Sequence, residues 1–352
     1  MDNDKVVFIR TDGNEDIASG HLVRCITIAQ SVIKCGGKVH FIVSDMQSSE
    51  ELMRRLERVI SRKSVTVTVL ETDYRKVGDE LPVLKHILSA QPDAVLLVDT
   101  YFVTPDYFRE VRKFAKVYYM DDLQMFDYPV DGVINYDVIV DKSFYTLADN
   151  VYAESQYTPL REQFAQSSYT VRMSATELLL TTGGTDPNGF CKKFVDGFLK
   201  QEGMTEWRIH LIIGTMFADK KALMQIAKKD NRVVVYENVE NMAGLMTSCD
   251  LAVSAGGTTL FELCAVGVPT ISISISQNQI PCNEAFSKAG IIPYEGHVSS
   301  DDRNMEEILQ HLYAKVMELG SNLSERQKMN QRQRKAVDGK GADRIAALLL
   351  CQ

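Results

Sequence analysis

The sequence predicts two α/β domains, each built around a parallel β-sheet. Short β-rich runs alternate with helical stretches along most of the 352 residues, which is typical of βαβ units. Runs such as AVLLVDT at residues 94–100 are apolar on both faces, as expected for a strand that helices cover on both sides. A chain of this length also suggests about two domains of roughly 100–200 residues each.

The first half contains six predicted strands separated by helical stretches. The strands are expected at residues 6–10, 38–44, 65–71, 94–100, 117–121 and 132–135. Helical patterns lie between them near residues 21–34, 50–60, 75–90 and 105–114. We therefore expect a first Rossmann-like domain over residues 1–155.

The second half repeats the alternation after a polar, irregular stretch at residues 150–174. Its strands are expected at residues 177–182, 208–214, 232–237, 251–254 and 270–276, with helical patterns near 189–201, 218–228, 242–248, 260–266 and 280–289. We expect a second Rossmann-like domain over residues 175–335, with a largely helical tail from residue 305. Ligands of open α/β sheets bind beyond the carboxyl ends of the strands, so the two domains are expected to face each other across a ligand-binding cleft.

The composition disfavours several classes of protein. A formal net charge of −8 disfavours nucleic-acid binding, which requires a positive surface. The seven cysteines form no C-x-x-C pair, which indicates reduced thiols in a cytoplasmic protein rather than a metal or disulfide framework. No apolar run reaches the ~18–20 residues of a membrane span, and the polar first residues do not resemble a signal peptide. We expect no cofactor, and no oligomeric state follows from the sequence.

The loop after the first predicted strand carries a first candidate site. It reads TDGNEDIASG, and a helix then opens with His21. The positive end of the helix dipole favours the neutral imidazole that a general base requires. Arg24 lies one turn further on the same face, while Arg10 and Asp12 flank the loop and Gly20 ends it. The alternative is that His21 is only a polar residue at a helix start.

A second candidate site follows the strand at 251–254, where the chain reads SAGGTTLFE. Free N–H groups after Gly256 and Gly257, with the hydroxyls of Thr258 and Thr259, can bind a diphosphate at a helix N-terminus. Glu262, one turn further along, can bind ribose hydroxyls, as acidic residues do in dinucleotide folds. The alternative is a tight turn followed by a helix-side glutamate.

Three further polar segments also follow predicted strands. For each of them, helix capping or a solvated loop explains the residues as well as ligand binding does. They are Gly183-Gly184-Thr185-Asp186, the amide pair Asn278-Gln279, and the carboxylate pair Asp121-Asp122.

Several catalytic motifs are absent from the sequence. There is no G-x-x-x-x-G-K-[ST], no G-x-G-x-x-G, no H-E-x-x-H and no G-x-S-x-G, which disfavours P-loop enzymes, nicotinamide or flavin dehydrogenases, metalloproteases and serine hydrolases. Asp2-Asn3-Asp4 matches a D-x-D metal pattern, but it precedes the first strand at a terminus, where fraying is expected. No metal site is therefore expected.

Taken in order, these residues resemble the UDP-sugar hydrolases of the pseudaminic acid pathway, which are related to the spore coat polysaccharide protein SpsG. No single motif is specific, but the matching segments are collinear over nearly the whole chain. They are Arg10-Thr-Asp12, Gly20-His21-Leu-Val-Arg24-Cys25, Asp121-Asp122, Tyr157-Thr-Pro-Leu-Arg161-Glu162-Gln-Phe164, Gly183-Gly184-Thr-Asp186, Ala255-Gly-Gly-Thr-Thr-Leu-Phe-Glu262, Asn278-Gln279 and Asp338-Gly-Lys-Gly-Ala-Asp-Arg344.

The resemblance implies a GT-B architecture like that of MurG, and metal-independent hydrolysis of a UDP-linked 2,4-diacetamido-2,4,6-trideoxyhexose. His21 would be the general base that activates water. The closing segment at 336–352 would be a helix that packs back on the first domain. The remaining implied site residues fall into two groups. The sugar would be bound by Arg10, Asp12, Gly20, Arg24, Asp121, Asp122 and Arg161, and UDP by Gly183, Gly184, Gly256, Gly257, Thr258, Thr259, Glu262, Asn278 and Gln279.

The chain departs from the family pattern at Ala18, where the family often has an extra glycine, and this puts the identity of the sugar in doubt. Two other functions remain open. A glycosyltransferase on the same fold would replace water by an acceptor hydroxyl, and an apolar or basic patch on the first domain would favour a membrane acceptor. No strong patch is evident in the sequence, although Lys and Arg residues at 54–63 leave it open. The third possibility is a non-catalytic UDP-sugar-binding protein.

Overall fold

The computed structural model describes residues 5–14, 17, 20–57, 64–214 and 216–351. The chain divides into two compact units, one comprising Met1–Arg161 with Lys340–Gln352 and the other Glu162–Gly339. Ala18 and the Asp2-Asn3-Asp4 segment lie outside the described residues, as do residues 58–63 of the basic segment.

The first unit contains a seven-stranded, fully parallel sheet in the order β3-β2-β1-β4-β5-β6-β7. The strand order reverses between β1 and β4, and the carboxyl ends of strands at such a switch point form the usual ligand crevice. The strands are β1 (Val6–Thr11), β2 (Lys38–Val43), β3 (Val65–Val69), β4 (Val95–Asp99), β5 (Lys116–Met120), β6 (Gly132–Asn135) and β7 (Val151–Ala153).

Helices cover both faces of this sheet, and buried aliphatic and aromatic side chains fill each layer. They are α1 (Gly20–Lys34), α2 (Met46–Leu56), α3 (Leu81–Ser89), α4 (Pro105–Val111) and α13 (Gly341–Leu350). The last of these, α13, packs against α1 through Ile345, Ala346 and Leu349. The Ser31 hydroxyl donates to Asp343 at 2.8 Å, so the C-terminal helix is part of the first unit.

The second unit contains a six-stranded parallel sheet in the order β10-β9-β8-β11-β12-β13. Its switch point lies between β8 and β11. The strands are β8 (Glu177–Thr181), β9 (Arg208–Ile212), β10 (Val233–Tyr236), β11 (Leu251–Ala255), β12 (Thr270–Ser274) and β13 (Tyr294–His297). The helices are α5 (Glu162–Ala165), α6 (Phe190–Phe198), α7 (Lys220–Lys229), α8 (Met242–Ser248), α9 (Thr258–Val266), α10 (Ile280–Lys288), α11 (Asp302–Ser321) and α12 (Leu323–Ala336).

All eleven predicted strands are present, but the sequence interpretation missed β7 and β13. The first is three residues long, and the second contains Gly296 at φ 119° and a register shift against β12. Neither has the length or the apolar pattern that identifies a strand. In the described ranges no helix is long and apolar enough to cross a bilayer.

Several predicted helix bounds were wrong. The stretch at 75–90 forms an α-helix only from Leu81, after a 3-10 turn at Val77–Glu80. The helix expected near residue 50 starts at Met46, because the Asp45 carboxylate caps it by accepting from the Ser48 backbone N–H at 2.6 Å. The interval at 150–174 is not wholly irregular, since it contains β7 and α5.

Candidate active site

The carboxyl ends of β1 and β4 bring a histidine and a carboxylate together in the first unit. His21 lies in the first turn of α1, and Asp99 is the last residue of β4, where it pairs with Thr11 of β1. His21 Nδ1 lies 2.5 Å from Asp99 Oδ1. Because an ionised carboxylate only accepts hydrogen bonds, Nδ1 carries a proton, and in the neutral ring the lone pair then lies on Nε2. This is the arrangement that a general base requires.

Asp99 is fully buried and accepts from four donors. Its Oδ1 accepts from His21 Nδ1 and from Arg24 Nη2 at 2.5 Å, and its Oδ2 accepts from Arg24 Nε at 2.6 Å and the Cys25 thiol at 3.3 Å. Burial by itself would raise the pKa of Asp99, but Arg24 and His21 outweigh that effect and hold the pKa well below its usual range. Asp99 therefore remains ionised at neutral pH.

Arg24 was predicted to bind the substrate, but its donors are engaged within the protein. Besides the two bonds to Asp99, its Nη1 donates to Asp122 Oδ2 at 2.8 Å and to the Tyr136 hydroxyl at 2.7 Å. The Tyr101 hydroxyl donates to the same Asp122 oxygen at 3.1 Å, and its ring packs edge-on against His21 at 4.5 Å. Arg24 thus connects the strand ends around His21. Of the two carboxylates predicted at the end of β5, Asp122 belongs to this cluster.

The structure places Arg10 and Asp12 in a buried ion-pair network instead of on an open pocket wall. Arg10 is fully buried and donates to both oxygens of Glu80, at 2.8 to 3.0 Å, and to Asp12 at 2.5 Å. The other Asp12 oxygen accepts from the backbone and hydroxyl of Ser44. These bonds join the end of β1 to the 3-10 turn at Glu80 and to Ser44 after β2, and a direct contact with a sugar would require them to break.

Asp121 is similarly occupied. It is buried, and its oxygens accept from the hydroxyls of Tyr128 and Tyr145 and from the backbone N–H groups of residues 123 and 124. These bonds hold the loops that follow β5 and β6. Asp121 therefore holds the turn after β5, and it neither caps a described helix nor lies in a solvated loop, which were the two alternatives to ligand binding. By contrast, Gly20 is exposed at the start of α1, and Arg161 is half-buried at the end of the first unit.

In the second unit, the predicted phosphate site lies in the turn between β11 and α9. Gly257 precedes α9 at φ 118° and, as a glycine in the N-cap position, has no side chain to cap that helix. Thr258 is exposed, while Thr259 and Glu262 are half-buried in the first turns of α9. Uncapped N–H groups at a helix start are an anion-binding arrangement. Gly256 lies against Asn283, since a Cβ at this position would be 2.2 Å from Asn283 Nδ2.

The turn after β8 differs, because its helix already has a cap. Asp186 accepts from the backbone N–H groups of Phe190 and Cys191 at 2.9 and 2.8 Å. Gly183, at φ 81°, and Gly184 are exposed in this turn. Asp186 is therefore a capping residue, and only the two glycines are placed to approach a ligand.

The two residues of the amide pair after β12 also differ in their contacts. Gln279 Oε1 accepts from the backbone N–H of Ile275 at 2.9 Å, so it braces the turn. Asn278 is exposed in a 3-10 turn, where its side chain accepts from Ser276 at 2.6 Å. Asn278 is accordingly the better placed of the two to contact a ligand.

Sequence reasoning missed several residues of these sites. They are Glu80, Asp99, Tyr101, Tyr136, Asp137 and Asn283. Asp99 had a detectable signal, because it ends an otherwise apolar strand, and a carboxylate in that position indicates a site at the sheet edge. Glu80 had none, because it reaches Arg10 from a distant 3-10 turn.

Comparison with known proteins supports the fold and part of the family resemblance. Residues 178–340 match the glycosyltransferase family 28 C-terminal domain. The chain is 25% identical over 225 residues to the spore coat polysaccharide biosynthesis protein SpsG of Bacillus subtilis, covering 62% of this chain and 64% of that protein. It is 24% identical over 304 residues to the uncharacterized protein MJ1062 of Methanocaldococcus jannaschii, covering 80% of this chain and 58% of that protein. These alignments span about three fifths of the length of each curated relative.

Among solved structures, MurG of Acinetobacter baumannii superposes with a TM-score of 0.68 at 12% identity, covering 99% of this chain and 100% of that one. Arabidopsis thaliana UGT89C1, solved with UDP, superposes with a TM-score of 0.62 at 11% identity, covering 98% and 100%. These likenesses confirm the predicted GT-B fold. The chain therefore has the GT-B fold, is similar over residues 178–340 to the glycosyltransferase family 28 C-terminal domain, and is distantly similar to SpsG.

Proposed function

We propose that this protein hydrolyses a UDP-activated 2,4-diacetamido-2,4,6-trideoxyhexose to UDP and the free sugar, in cytoplasmic biosynthesis of a pseudaminic-type acid or a surface polysaccharide. The observation that carries the proposal is the His21–Asp99 pair at 2.5 Å, with Nε2 as the basic nitrogen. The likeness to SpsG supports a role in polysaccharide synthesis, and the likeness to UGT89C1, which was solved with UDP, supports a UDP-linked substrate.

In this proposal the second unit binds the nucleotide without a metal. The uncapped start of α9, at Gly257, Thr258 and Thr259, meets the diphosphate, and Glu262 accepts from the ribose hydroxyls. Gly183, Gly184, Gly256 and the Asn278-Gln279 pair complete the UDP site. Fixed backbone dipoles at the helix start stabilise the negative charge that the leaving diphosphate gains.

The first unit supplies the chemistry. His21 Nε2 removes a proton from water while the water oxygen attacks the anomeric carbon. The bond between that carbon and the diphosphate oxygen breaks, and UDP leaves with the bonding electrons. Asp99 stabilises the imidazolium that forms, and the proton then passes to solvent. A positioned general base of this kind contributes about 10²–10⁴ in rate.

One observation favours the glycosyltransferase as a second candidate function. Four large apolar side chains are exposed by 47 to 59% on the loops after β5 and β6, the loops that also carry Asp122 and Tyr136 of the His21 cluster, although the sequence indicated no strong patch there. Contacts of Gln124 with Asp141, and of Asp127 with residues 146 and 147, hold these loops together. An apolar surface beside the base would suit an acceptor with an apolar chain. The four residues are Leu123, Met125, Ile139 and Leu147.

The deciding experiment measures UDP release by purified protein from a UDP-2,4-diacetamido sugar, without an acceptor and with EDTA present. We expect release in the wild type and a loss of about 10²–10⁴ in rate in His21→Ala. UDP binding measured by calorimetry should be unchanged in that variant. Glu110→Ala, on the exposed end of α4, is the matched control and should retain full activity.

Each other outcome assigns a different function. Binding without release, followed by turnover when an acceptor sugar or lipid is added, would establish a glycosyltransferase. Binding of the UDP-sugar without turnover under either condition would indicate a binding protein. Release that survives in His21→Ala would contradict the role of His21 while leaving the hydrolase assignment intact.

A further inference from the structure

We propose that Asp137 binds the sugar of the UDP-sugar, by accepting a hydrogen bond from one of its amide N–H or hydroxyl groups. This inference rests on the proposed function, because it names the side chain of the first unit that recognises the sugar. Its structural basis is the carboxylate itself, which is half-buried, interacts electrostatically with Asp122 of the His21 cluster, and accepts no hydrogen bond from the described residues.

Asp137 differs in this last respect from the other carboxylates of the candidate site in the first unit. Asp137 makes one hydrogen bond in the described part of the chain, from its backbone N–H to Asn135 Oδ1 at 2.9 Å. A half-buried carboxylate without a donor loses hydration that nothing in the protein replaces, so we expect a ligand to supply the donor. The other carboxylates each accept from at least two donors, and they are Asp12, Glu80, Asp99, Asp121 and Asp122.

Buried hydrogen bonds fix the backbone that carries this carboxylate. Asn135, the last residue of β6, is buried, and its Nδ2 donates to the Tyr145 hydroxyl at 2.8 Å. The Tyr145 hydroxyl in turn donates to Asp121 Oδ2 at 2.6 Å. These contacts join the backbone N–H of Asp137 to the end of β5 without engaging its carboxylate. The acceptor is therefore held in place before a ligand arrives, which lowers the entropy cost of binding.

The charges around Asp137 indicate which part of the ligand it meets. Burial, with Asp122 and Asp121, raises the pKa of Asp137 to about 6, and Arg24 only partly offsets this effect. Arg24 is already paired with Asp99 and Asp122. A surface of this sign repels a diphosphate, whereas neutral N–H and O–H groups form strong hydrogen bonds with a carboxylate. The amide N–H groups and the hydroxyl of a 2,4-diacetamido sugar are donors of this kind.

A metal ion is a different partner that carboxylates can take, for example Mg²⁺ shared with the diphosphate. Within the described ranges, no group of three or more His, Cys, Asp or Glu side chains could hold a metal ion. We therefore assign the carboxylate to the sugar, and the experiment includes EDTA so that a metal-dependent contact is recognised.

The test separates binding of the sugar from binding of the nucleotide. Kd for UDP and for the UDP-2,4-diacetamido sugar is measured by calorimetry at pH 8, where Asp137 is ionised, in His21→Ala and in His21→Ala combined with Asp137→Asn. We expect Asp137→Asn to raise Kd for the UDP-sugar about tenfold or more, because a hydrogen bond to a charged group is lost. Kd for UDP should stay within about twofold. Adding Asp79→Asn instead, at an exposed carboxylate, should change neither Kd.

Turnover gives a second readout in the chain that retains His21. Asp137→Asn alone should raise KM about tenfold and leave kcat within about threefold, as expected when a contact made equally in the ground state and the transition state is removed. Misfolding does not explain this result if urea denaturation shows that the variant, which keeps the size of the side chain and removes a buried charge, is at least as stable as the wild type.

Several outcomes would overturn the proposal. Equal weakening of UDP and UDP-sugar binding would mean that Asp137 does not recognise the sugar, and so would no weakening of either. A UDP-sugar affinity that falls when EDTA is added would assign the carboxylate to a metal ion. If the wild type releases no UDP, the proposed hydrolase function fails, while the two Kd values still decide whether Asp137 binds the sugar.

Discussion

The candidate site in the first unit is assembled from charged side chains, whereas that in the second unit is assembled from backbone. Around His21 and Arg10, carboxylates and guanidinium groups pair with one another in buried positions. In the turns before α6 and α9, Gly183, Gly184 and Gly257 have open space around them, and α9 begins at a glycine that has no side chain to cap it. A network of charged side chains can support proton transfer, while the N–H groups at a helix start can bind an anion.

This difference determines which mutations are harmful in each unit. A buried ion pair is damaged when one partner is removed, because the remaining charge stays buried without compensation. A glycine turn is damaged when atoms are added, because a Cβ occupies the space that the backbone or a ligand needs. The two units should therefore respond to opposite kinds of substitution.

The largest effect is expected for Glu80→Ala in the first unit. This change leaves Arg10 fully buried with one of its two carboxylate partners missing, and also removes the acceptor of the Tyr107 hydroxyl. Breaking a buried pair in this way should lower the free energy of unfolding by about 3–5 kcal/mol. Urea denaturation monitored by circular dichroism measures the change.

The matched control for Glu80 is Asp106→Ala. It breaks an ion pair of similar length with Arg109, 2.7 Å, but both side chains are more than half exposed. Exposed pairs contribute little to stability, so no measurable change is expected. Equal losses in Glu80→Ala and Asp106→Ala would mean that burial does not govern the first site.

In the second unit, Gly256→Ala should weaken UDP binding and lower stability. Its Cβ would lie 2.2 Å from Asn283 Nδ2 and 3.1 Å from Gln279 Cβ, and Asn283 is fully buried. Overpacking of this kind costs about 1–3 kcal/mol. The displaced Asn283 and Gln279 would shift the turn before α9, so we expect Kd for UDP to rise about tenfold or more. Calorimetry with UDP and urea denaturation measure the two effects.

Two variants sharpen the interpretation of Gly256→Ala. Combining it with Asn283→Ala removes the clashing amide and should recover much of the lost stability. Gly184→Ala places a Cβ where no atom lies within 4 Å, so it should leave stability unchanged and weaken binding only if UDP contacts that turn. If Gly256→Ala is as stable and binds as tightly as the wild type, the second site does not depend on the absence of a side chain.

The features that could be predicted from the sequence also differ from the features of the charge network. The parallel sheets were predictable because strands buried on both faces appear as continuous apolar runs, as in AVLLVDT before Asp99. The glycine turns at Gly183 and Gly256 were predictable because glycine between a strand and a helix is a local pattern. Such features depend only on neighbours in sequence.

The charge network was not predictable to the same extent, because its partners are distant in sequence. Glu80 lies 70 residues from Arg10, and Asp99 lies 78 residues from His21. His21 was identified from its glycine-flanked loop, but no spacing rule links it to Asp99 or shows that Arg24 faces inward. The pairing of β1 with β4 sets Asp99 opposite Thr11, at the end of the strand that precedes α1.

The smallest expected effect concerns Asp137, which follows β6 and extends the charged cluster of the first unit. Burial, with the nearby Asp122 and Asp121, raises its pKa to about 6 from an unfolded value near 4. The folded protein therefore binds this proton more tightly, so Asp137 lowers stability progressively as the pH rises from about 4 through 6.

Asp137→Asn should remove that loss and raise the free energy of unfolding at pH 8 by about 1–2 kcal/mol, allowing for solvent screening of a half-buried group, with little change at pH 4. Urea denaturation at the two pH values measures the difference, and Asp79→Asn, which changes an exposed carboxylate, provides the comparison. If Asp137→Asn gains stability at pH 8 and Asp79→Asn does not, the buried charge of Asp137 lowers the stability of the first unit. If the two variants gain equally, the burial of Asp137 has no specific effect on stability.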